Sequence, residues 1–557
     1  MPKHDNALYL LIFVVICIAT GAACYLYEGA FCQPVNGIYR PYVDLLWNAI
    51  NASNLANGYP LYDSQFAGKE LGYHCFLEIL YACESIIFKD CAFDLYRYAA
   101  APLTGWLFAL SVSSLFDHDG RTKSDYGIYI LKITSFFACA CMIPFFIGNS
   151  GSVGNGFMFY ILYAEGSEGF AVVAAIAAFV TLSITHIDNK PGYYLLLFLV
   201  IFAQAGTKGP IAIVTLGALA GTFVVKTIVE RRISMDLMCK TITGAAATTI
   251  VLCFVVNAAS NVNSDNGAVI SLYYSWMNTG VHRILEPLDN RMPMKLVSFL
   301  LCILAFYGPL LIPFIMGGLN IIRRLIDGEN IRFEVYYAYA SVLIATVGVM
   351  FMFQVGSSHR QFLLGAIPMM VYMVWQLYEN KIVKHHKVLL YYICLVLIIG
   401  IVMDVMGIVS TYNKLINFKA HDGQEVADSI TKTEVEACKW IRENTPVDAV
   451  FAVDRRYIAE NDCRYFYYTA FMERQAYVGG TYYHRGIGAE EIEYRETLNE
   501  MIYDSSAEEL EKLLQDNGID YVIVTNWLGT VFKPESDKIT AVYENEAVAV
   551  YQYVGEL

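Results

Sequence analysis

Asp44 is the acid of "YVDLLWNAINAS". In this stretch Val43, Leu46, Trp47 and Ile50 fall at helical spacing, and Asp44, Asn48 and Asn51 form the opposite stripe. A carboxylate placed within hydrogen-bond reach of a hydroxyl can take its proton as a general base. Further along, Lys208 in "AGTKGP", Arg360 in "GSSHRQF" and Arg474 in "MERQAYVGG" are cations of the kind that neutralise charge building on a departing anion. Asp63, His74, Glu165 and Glu168 are scattered oxygen and nitrogen donors of types that suit a hard divalent ion.

These residues have to be positioned by a membrane framework. Of 557 residues, 56% are hydrophobic and only 16% are charged, against about 25% charged in soluble domains. From His421 onward there are 27 acids and 12 bases, which accounts for the net charge of -14 and leaves the preceding residues near neutral. No basic surface for nucleic acid is visible. Apolar runs of spanning length predict about eleven transmembrane helices, near 8–27, 97–116, 126–147, 168–186, 192–206, 209–227, 241–259, 296–318, 334–354, 361–378 and 388–410. The fifth is short and stops at "AGTKGP", which predicts a tight pair with the sixth. The first run lacks a clear cleavage site and reads as a retained span.

Lys and Arg collect in alternate loops, at Arg121/Lys123, Lys190, Lys226/Arg231/Arg232/Lys240, Arg323/Arg324/Arg332 and Lys381/Lys384/Lys387. That bias places the N-terminus in the cytoplasm of a multi-pass plasma-membrane protein. The loop 28–96 and everything after Tyr412 then lie outside. The expected organisation is a polytopic domain over 1–411, containing the first outer loop 28–96, and an extracytoplasmic α/β domain over 412–557.

In the first outer loop, the pattern around Asp44 predicts a helix on the membrane surface with its polar stripe toward a cavity or water. A second pattern begins at Tyr73, with Phe76, Leu77, Leu80 and Ile87 apolar and His74, Glu78, Tyr81 and Ser85 on another face. "GYPLYDSQFAGKELG" joins the two as a turn-rich connector. Cys32, Cys75, Cys83, Cys91, Cys438 and Cys463 are the outer cysteines; a disulfide among them is left open, and no metal spacing of the C-x-x-C type occurs.

In the C-terminal segment, "TEVEACKWIRENT" and "SAEELEKLLQDNG" read as helices, the second ended by Gly518. "AVFAVD" and "IDYVIVT" read as strands, and "ITAVYENEAVAVYQYV" as a hairpin with Glu-Asn at its turn. No nucleophile elbow, phosphate loop or H-E-x-x-H motif appears, which argues against an independent hydrolase. The aromatic stretch "RYFYYTAFMERQAYVGGTYYHRG" does not read as a strand throughout.

An acid on a helix just after the first span, followed by a second outer helix, resembles the GT-C membrane glycosyltransferases. "D-x-x-W-N" at 44–48 is similar to the "D-x-x-F-H" of uncharacterised prokaryotic members, and "FAGKELGYH" to their "FAG-x-x-L-x-YH". "GTKGP" at 206–210 resembles a "G-S-K-x-P" element, and "MERQAYVGG" with the two terminal strands resembles their outer domain. Asn48 departs from the pattern by standing where His is usual.

The resemblance implies a sugar transferase whose donor is a polyprenyl-phosphate-linked sugar drawn from the bilayer. The acceptor is a glycan, lipid or protein, and direct displacement gives inversion. It implies Asp44 as the catalytic base and Lys208, Arg360 and Arg474 as donor or phosphate partners. Asn48, Tyr73, His74 and His484 stand near the acceptor or just behind. The D-x-D pair of metal-using oligosaccharyltransferases of this class is missing at Asp44. No cofactor is therefore favoured, and Mg or Mn held by Asp63, His74, Glu165 and Glu168 is left open. Two other readings remain: a lipid or polysaccharide transporter, against which the lack of internal repeats counts, and a non-catalytic scaffold with a sensory outer domain.

Overall fold

The computed structural model describes residues 14, 38–39, 43–58, 62–70, 75–95, 101–117, 126–137, 167–187, 190–259, 269–270, 292–353, 361–379, 385–416, 430–454, 464–480, 487–525, 532, 534 and 536–555. After a short strand β1 (Ile38–Tyr39), the first loop forms helices α1 (Val43–Asn57), α2 (Phe76–Phe88) and α3 (Ala92–Leu95). A series of apolar helices follows: α4 (Ala101–Asp117), α5 (Tyr126–Phe137), α6 (Ser167–Ile187), α7 (Pro191–Thr207), α8 (Gly209–Glu230) and α9 (Met235–Ala259). Beyond β2 (Val269–Ile270) come α10 (Met292–Tyr307), a 3-10 turn at Gly308–Leu310, α11 (Leu311–Ile326) and α12 (Phe333–Phe351). Strand β3 (Met352–Phe353) pairs with β2, and α13 (Gln361–Glu379) and α14 (His386–Ile416) complete the series. The C-terminal segment runs β4 (Ile430–Thr431), α15 (Lys432–Asn444), β5 (Val450–Val453), α16 (Arg464–Met472), β6 (Gln475–Ala476), α17 (Ala489–Asp504), α18 (Ala507–Asp516), β7 (Tyr521–Thr525), β8 (Ile539–Glu544) and β9 (Val548–Tyr553).

Among the described residues, five stretches are long and apolar enough to cross a membrane: Gly209–Glu230, Met235–Cys253, Gly308–Ile326, Phe333–Phe351 and Gln361–Glu379. Those at Leu103–Leu115, Glu168–Ile184, Pro191–Thr207, Lys295–Leu304 and His386–Val402 are apolar but shorter. The first expected span, 8–27, falls outside the described residues but for Val14. The chain is thus a mainly helical, multi-pass membrane protein with a mixed β-sheet domain near its C-terminus.

Two compact units emerge from the contacts. One comprises residues 1–25, 101–254 and 266–411; the other comprises 26–100, 255–265 and 412–557. The loop 28–96, grouped with the membrane helices in the sequence reading, falls instead in one unit with the C-terminal segment.

In the membrane unit, α13 is buried along its length from Gln361 to Leu377, while Leu195, Leu199, Ile228, Leu319 and Val402 stand exposed on other helices. Exposed aliphatic side chains are what a bilayer solvates. Helices without a hydrophobic drive to associate pack through small residues. At Gly348 of α12, an added Cβ would lie 2.5 Å from the Phe362 ring of α13, so only glycine permits that approach. Charges are paired: buried Lys132 bonds Glu379, and fully buried Lys240 meets Asp236 at 2.7 Å, which also accepts from the Tyr194 hydroxyl.

The second unit carries a five-stranded sheet of order β6-β5-β7-β9-β8, with β6, β5 and β7 parallel and the β8–β9 hairpin antiparallel. Its elements follow local signals. Thr431 and Glu434 form a reciprocal capping box at the start of α15. At the β8–β9 turn, the Asn545 carboxamide oxygen accepts from the amides of Ala547 and Val548. β7 is buried at every residue, as expected for a central strand covered on both faces.

Candidate functional site

Asp44 occupies the first turn of α1, and the structure describes its backbone. A carboxylate suits a helix N-terminus, where unpaired amides and the macrodipole favour negative charge. The rest of the polar stripe is not solvated. Asn48 and Asn51 are buried, as are Leu46, Trp47 and Ile50 on the other face, because α1 packs between α2, α3 and α16. The expected surface helix is therefore an internal one. Both amide atoms of Asn51 are buried without a hydrogen-bond partner. Such an orphan costs about 1–3 kcal/mol unless a water or ligand meets it. In α2 the expected apolar stripe is buried only at Leu77, while Glu78 and Tyr81 of the other face are buried too and Ile87 is exposed beside Ile79, Ile86 and Phe88.

The connector at 62–70 forms a built clasp. Its turn is set by Asp63, whose carboxylate accepts from the Gln65 amide at 2.9 Å, and by Gly68 at φ +78°. Residues 64–67 then extend the edge of the sheet beside β6. The Ala476 amide donates to Ser64 O (2.8 Å), the Ala67 amide to Ala476 O (2.9 Å) and the Gly479 amide to Gln65 O (2.6 Å). The Gln65 side chain is buried between two partners, accepting from the Gly480 amide at 3.1 Å and donating to the Thr469 hydroxyl. Arg495 lies over the Phe66 and Tyr477 rings, 4.0 and 4.9 Å from their centroids, and donates to Ala67 O and Tyr477 O. On the other side, Asn54 of α1 donates to Tyr62 O and accepts from the Ser64 hydroxyl. The polarity of "SQFAGK" thus joins α1 to the C-terminal sheet, in a role that sequence reasoning missed.

Gly479 is required at that joint, since a Cβ there would fall 2.2 Å from Gln65 Oε1. Gly479→Ala is expected to cost about 1–3 kcal/mol and to speed proteolytic cleavage between residues 59 and 74. Gln65→Ala removes the clashing group, so the double variant should cost less than the sum of the two. Additive costs would place the strain elsewhere.

Arg474 is buried, and its five N–H groups all have acceptors. Nη2 donates to Arg442 O (2.7 Å) and Thr445 O (2.8 Å), Nη1 to Glu473 O (3.0 Å) and Met472 O (3.5 Å), and Nε to Thr445 Oγ1 (3.2 Å). These are the carbonyl ends of α15 and α16, where helices leave acceptors unpaired and cations are favoured. Burial lowers the guanidinium's proton affinity, and Glu473 opposes that shift. Arg474 caps two helices in this structure.

Asp90, Cys91 and Asp94, at the start of α3, bring ligand-type atoms within 4.8 Å of one another. The Cys91 thiol donates to Asp94 Oδ2 at 3.2 Å, and its own amide donates to Asp90 Oδ1 at 2.8 Å. Burial first, then Asp94, pushes the Cys91 thiol up to about 12. The metal candidates named from sequence are not in this group. Asp63 serves the clasp turn, Glu168 lies in the membrane unit, and His74 and Glu165 fall outside the described residues. Cys75, Cys83, Cys91 and Cys438 are free thiols.

In the membrane unit, Lys208 is the single residue between α7 and α8, as the broken fifth span predicts, and it is buried. Gln204 steadies the junction by donating to the Thr215 hydroxyl at 2.9 Å. Antiparallel succession puts the first turn of α6 at the same end. There the fully buried Glu168 accepts from Gln361 Nε2 of α13 at 2.9 Å. Gln361 was not singled out from sequence, though a polar residue opening an apolar run was a readable signal. Arg360, Tyr73, His74 and His484 lie outside the described residues.

No family model matches the chain, and no curated protein matches it. Among solved structures it is similar to the archaeal oligosaccharyltransferase AglB from Archaeoglobus fulgidus, in complex with an inhibitory peptide and a dolichol-phosphate. That match has 10% identity over 94% of this chain and 70% of the other, with a TM-score of 0.48. It is also similar to ArnT from Cupriavidus metallidurans bound to undecaprenyl phosphate, at 9% identity over 98% and 97% of the two chains, with a TM-score of 0.47. Superpositions this loose do not assign a fold.

Proposed function

We propose that the protein is an integral membrane glycosyltransferase of the GT-C type, moving a sugar from a polyprenyl-phosphate donor to an extracytoplasmic acceptor. The observation that carries this reading is the α1 stripe. An acid in the first turn is followed by two buried carboxamides, one with no protein partner at either amide atom, in a helix that the clasp ties to the C-terminal sheet. A solvated scaffold helix has no need of that arrangement.

In the proposed step, Asp44 takes the proton of the acceptor hydroxyl. The hydroxyl oxygen forms its bond to the anomeric carbon, and the bond from that carbon to the phosphate oxygen breaks. Polyprenyl phosphate departs with the electron pair, and a single displacement inverts the configuration. Lys208 and Arg360 are assigned to the phosphate, and Arg474 is assigned to helix capping. Asn48, Tyr73, His74 and His484 remain assigned to the acceptor side.

Transfer is expected to survive chelation, because no second acid accompanies Asp44. Loss of turnover in EDTA with restoration by Mg²⁺ or Mn²⁺ would reverse this and bring Asp63, His74, Glu165 and Glu168 back as ligands. The orientation proposed is a cytoplasmic N-terminus with the C-terminal segment outside. Ser506, exposed at the start of α18, reports on it. An impermeant maleimide should label one additional thiol in intact cells carrying Ser506→Cys; labelling of that thiol only after lysis would invert the topology.

A further inference from the structure

The sheet of the second unit has a feature that the proposed transfer does not use. From β5 the chain passes through α16 to β6 on one side, and from β6 it passes through α17 and α18 to β7 on the other. In parallel sheets such a reversal marks the carboxyl ends of the adjoining strands, here β5 and β7, as the place where ligands are held. Buried polar groups gather at that edge. Asp454, the residue after β5, is buried. Asn499 of α17 is fully buried and donates through Nδ2 to Val453 O at 2.9 Å, while its Oδ1 has no partner. Thr525, the last residue of β7, is buried, and its hydroxyl has no partner either.

Strand alternation sets these groups on both sides of the edge. Thr525 shares the face of the stacked Phe451 and Tyr521 rings. Asp454 shares the face of Ala452, which belongs to the same core cluster as Leu498 and Ile502 of α17, the helix that carries Asn499. At the end of β6, the Gln65 carboxamide from the clasp closes the row. A buried polar atom left without a partner is rare and costly, and two at one edge point to a bound group that meets them.

We propose that this edge, at Asp454, Asn499 and Thr525, binds a neutral carbohydrate. A carboxylate and a carboxamide oxygen accept from hydroxyl groups, and a threonine hydroxyl exchanges hydrogen bonds with them in either direction. As a binding site the edge stands alone. As the place that holds a saccharide acceptor it rests on the transferase reading.

The test uses the full chain in lipid nanodiscs, free of sugar-based detergent, and saturation-transfer difference NMR with glucose, galactose and N-acetylglucosamine, with inorganic phosphate titrated as a control. At least one sugar is expected to receive saturation. Thr525→Val, which keeps the side-chain shape and breaks no protein hydrogen bond, should weaken that sugar by about fivefold to tenfold, the effect of one hydrogen bond. Asn499→Leu should weaken it at least as much, and Ser506→Cys, at an exposed position of the same unit, should leave it unchanged. No saturation of any of the three sugars, equal binding by Thr525→Val, or binding of phosphate in their place would each overturn the proposal. Because no donor is present, a negative result leaves the transferase reading standing. Full activity of Asp44→Asn would remove that reading without touching sugar binding.

Discussion

Asp44→Asn should give a well-inserted protein that has lost almost all transfer. The substitution keeps the size of the side chain and its capacity to accept a hydrogen bond, but an amide cannot take the acceptor's proton. Removing a general base typically lowers the rate 10²- to 10⁴-fold, a barrier increase of about 3–5 kcal/mol. Stability should fall by no more than about 1 kcal/mol, the value of an acid at a helix N-terminus. The measurement is turnover of a polyprenyl-phosphate-linked sugar to polyprenyl phosphate in membranes, with protein level and proteolytic pattern compared with the parent. Asp44→Glu should retain part of the activity, because it restores a base with a displaced reach. Wild-type turnover in Asp44→Asn would remove the base assignment.

Arg474→Ala should be the most damaging single change to the second unit. It withdraws a buried cation and leaves the carbonyl ends of α15 and α16 without their partner. Removing one side of a buried charged network costs about 3–5 kcal/mol. In a unit of this size that corresponds to a thermal transition lower by on the order of 10 °C. Arg474→Lys should rescue little, because an ammonium has three donors on a point and cannot span two helix ends. Were Arg474 a phosphate partner instead, the variant would melt with the parent and show a raised KM for the donor.

Much of the architecture was legible before any coordinates. Long apolar runs mark α8, α9, α12 and α13 because the bilayer core demands length and hydrophobicity from each span independently of its neighbours. "AGTKGP" announced the break at Lys208 because Gly and Pro act on local backbone geometry. The strands "VFAV" and "YVIVT", the helix at Lys432–Asn444 and the terminal hairpin were readable for the same reason, since caps, turns and short apolar runs act within a few residues.

Burial and partnership were not legible at that range. The period around Asp44 correctly marked a helix, but a helical wheel separates faces and cannot say what covers each. Only the packing of α1 against α2, α3 and α16 decided that Asn48 and Asn51 are internal. The capping role of Arg474, read from sequence as a candidate phosphate partner, was not legible because its acceptors include the backbone carbonyls of residues 442 and 445, and no side-chain pattern encodes those. "QFAGK" and "AYVGG" lie some 400 residues apart and are joined through backbone hydrogen bonds and a glycine whose missing Cβ makes room for Gln65. The sequence by itself determined a membrane chain with an acidic α/β segment near its C-terminus and an acid at the head of the helix Val43–Asn57, because hydropathy, charge and helical period are local properties. Tertiary structure alone decided that the first loop belongs with that segment, since this depends on which distant backbone groups meet.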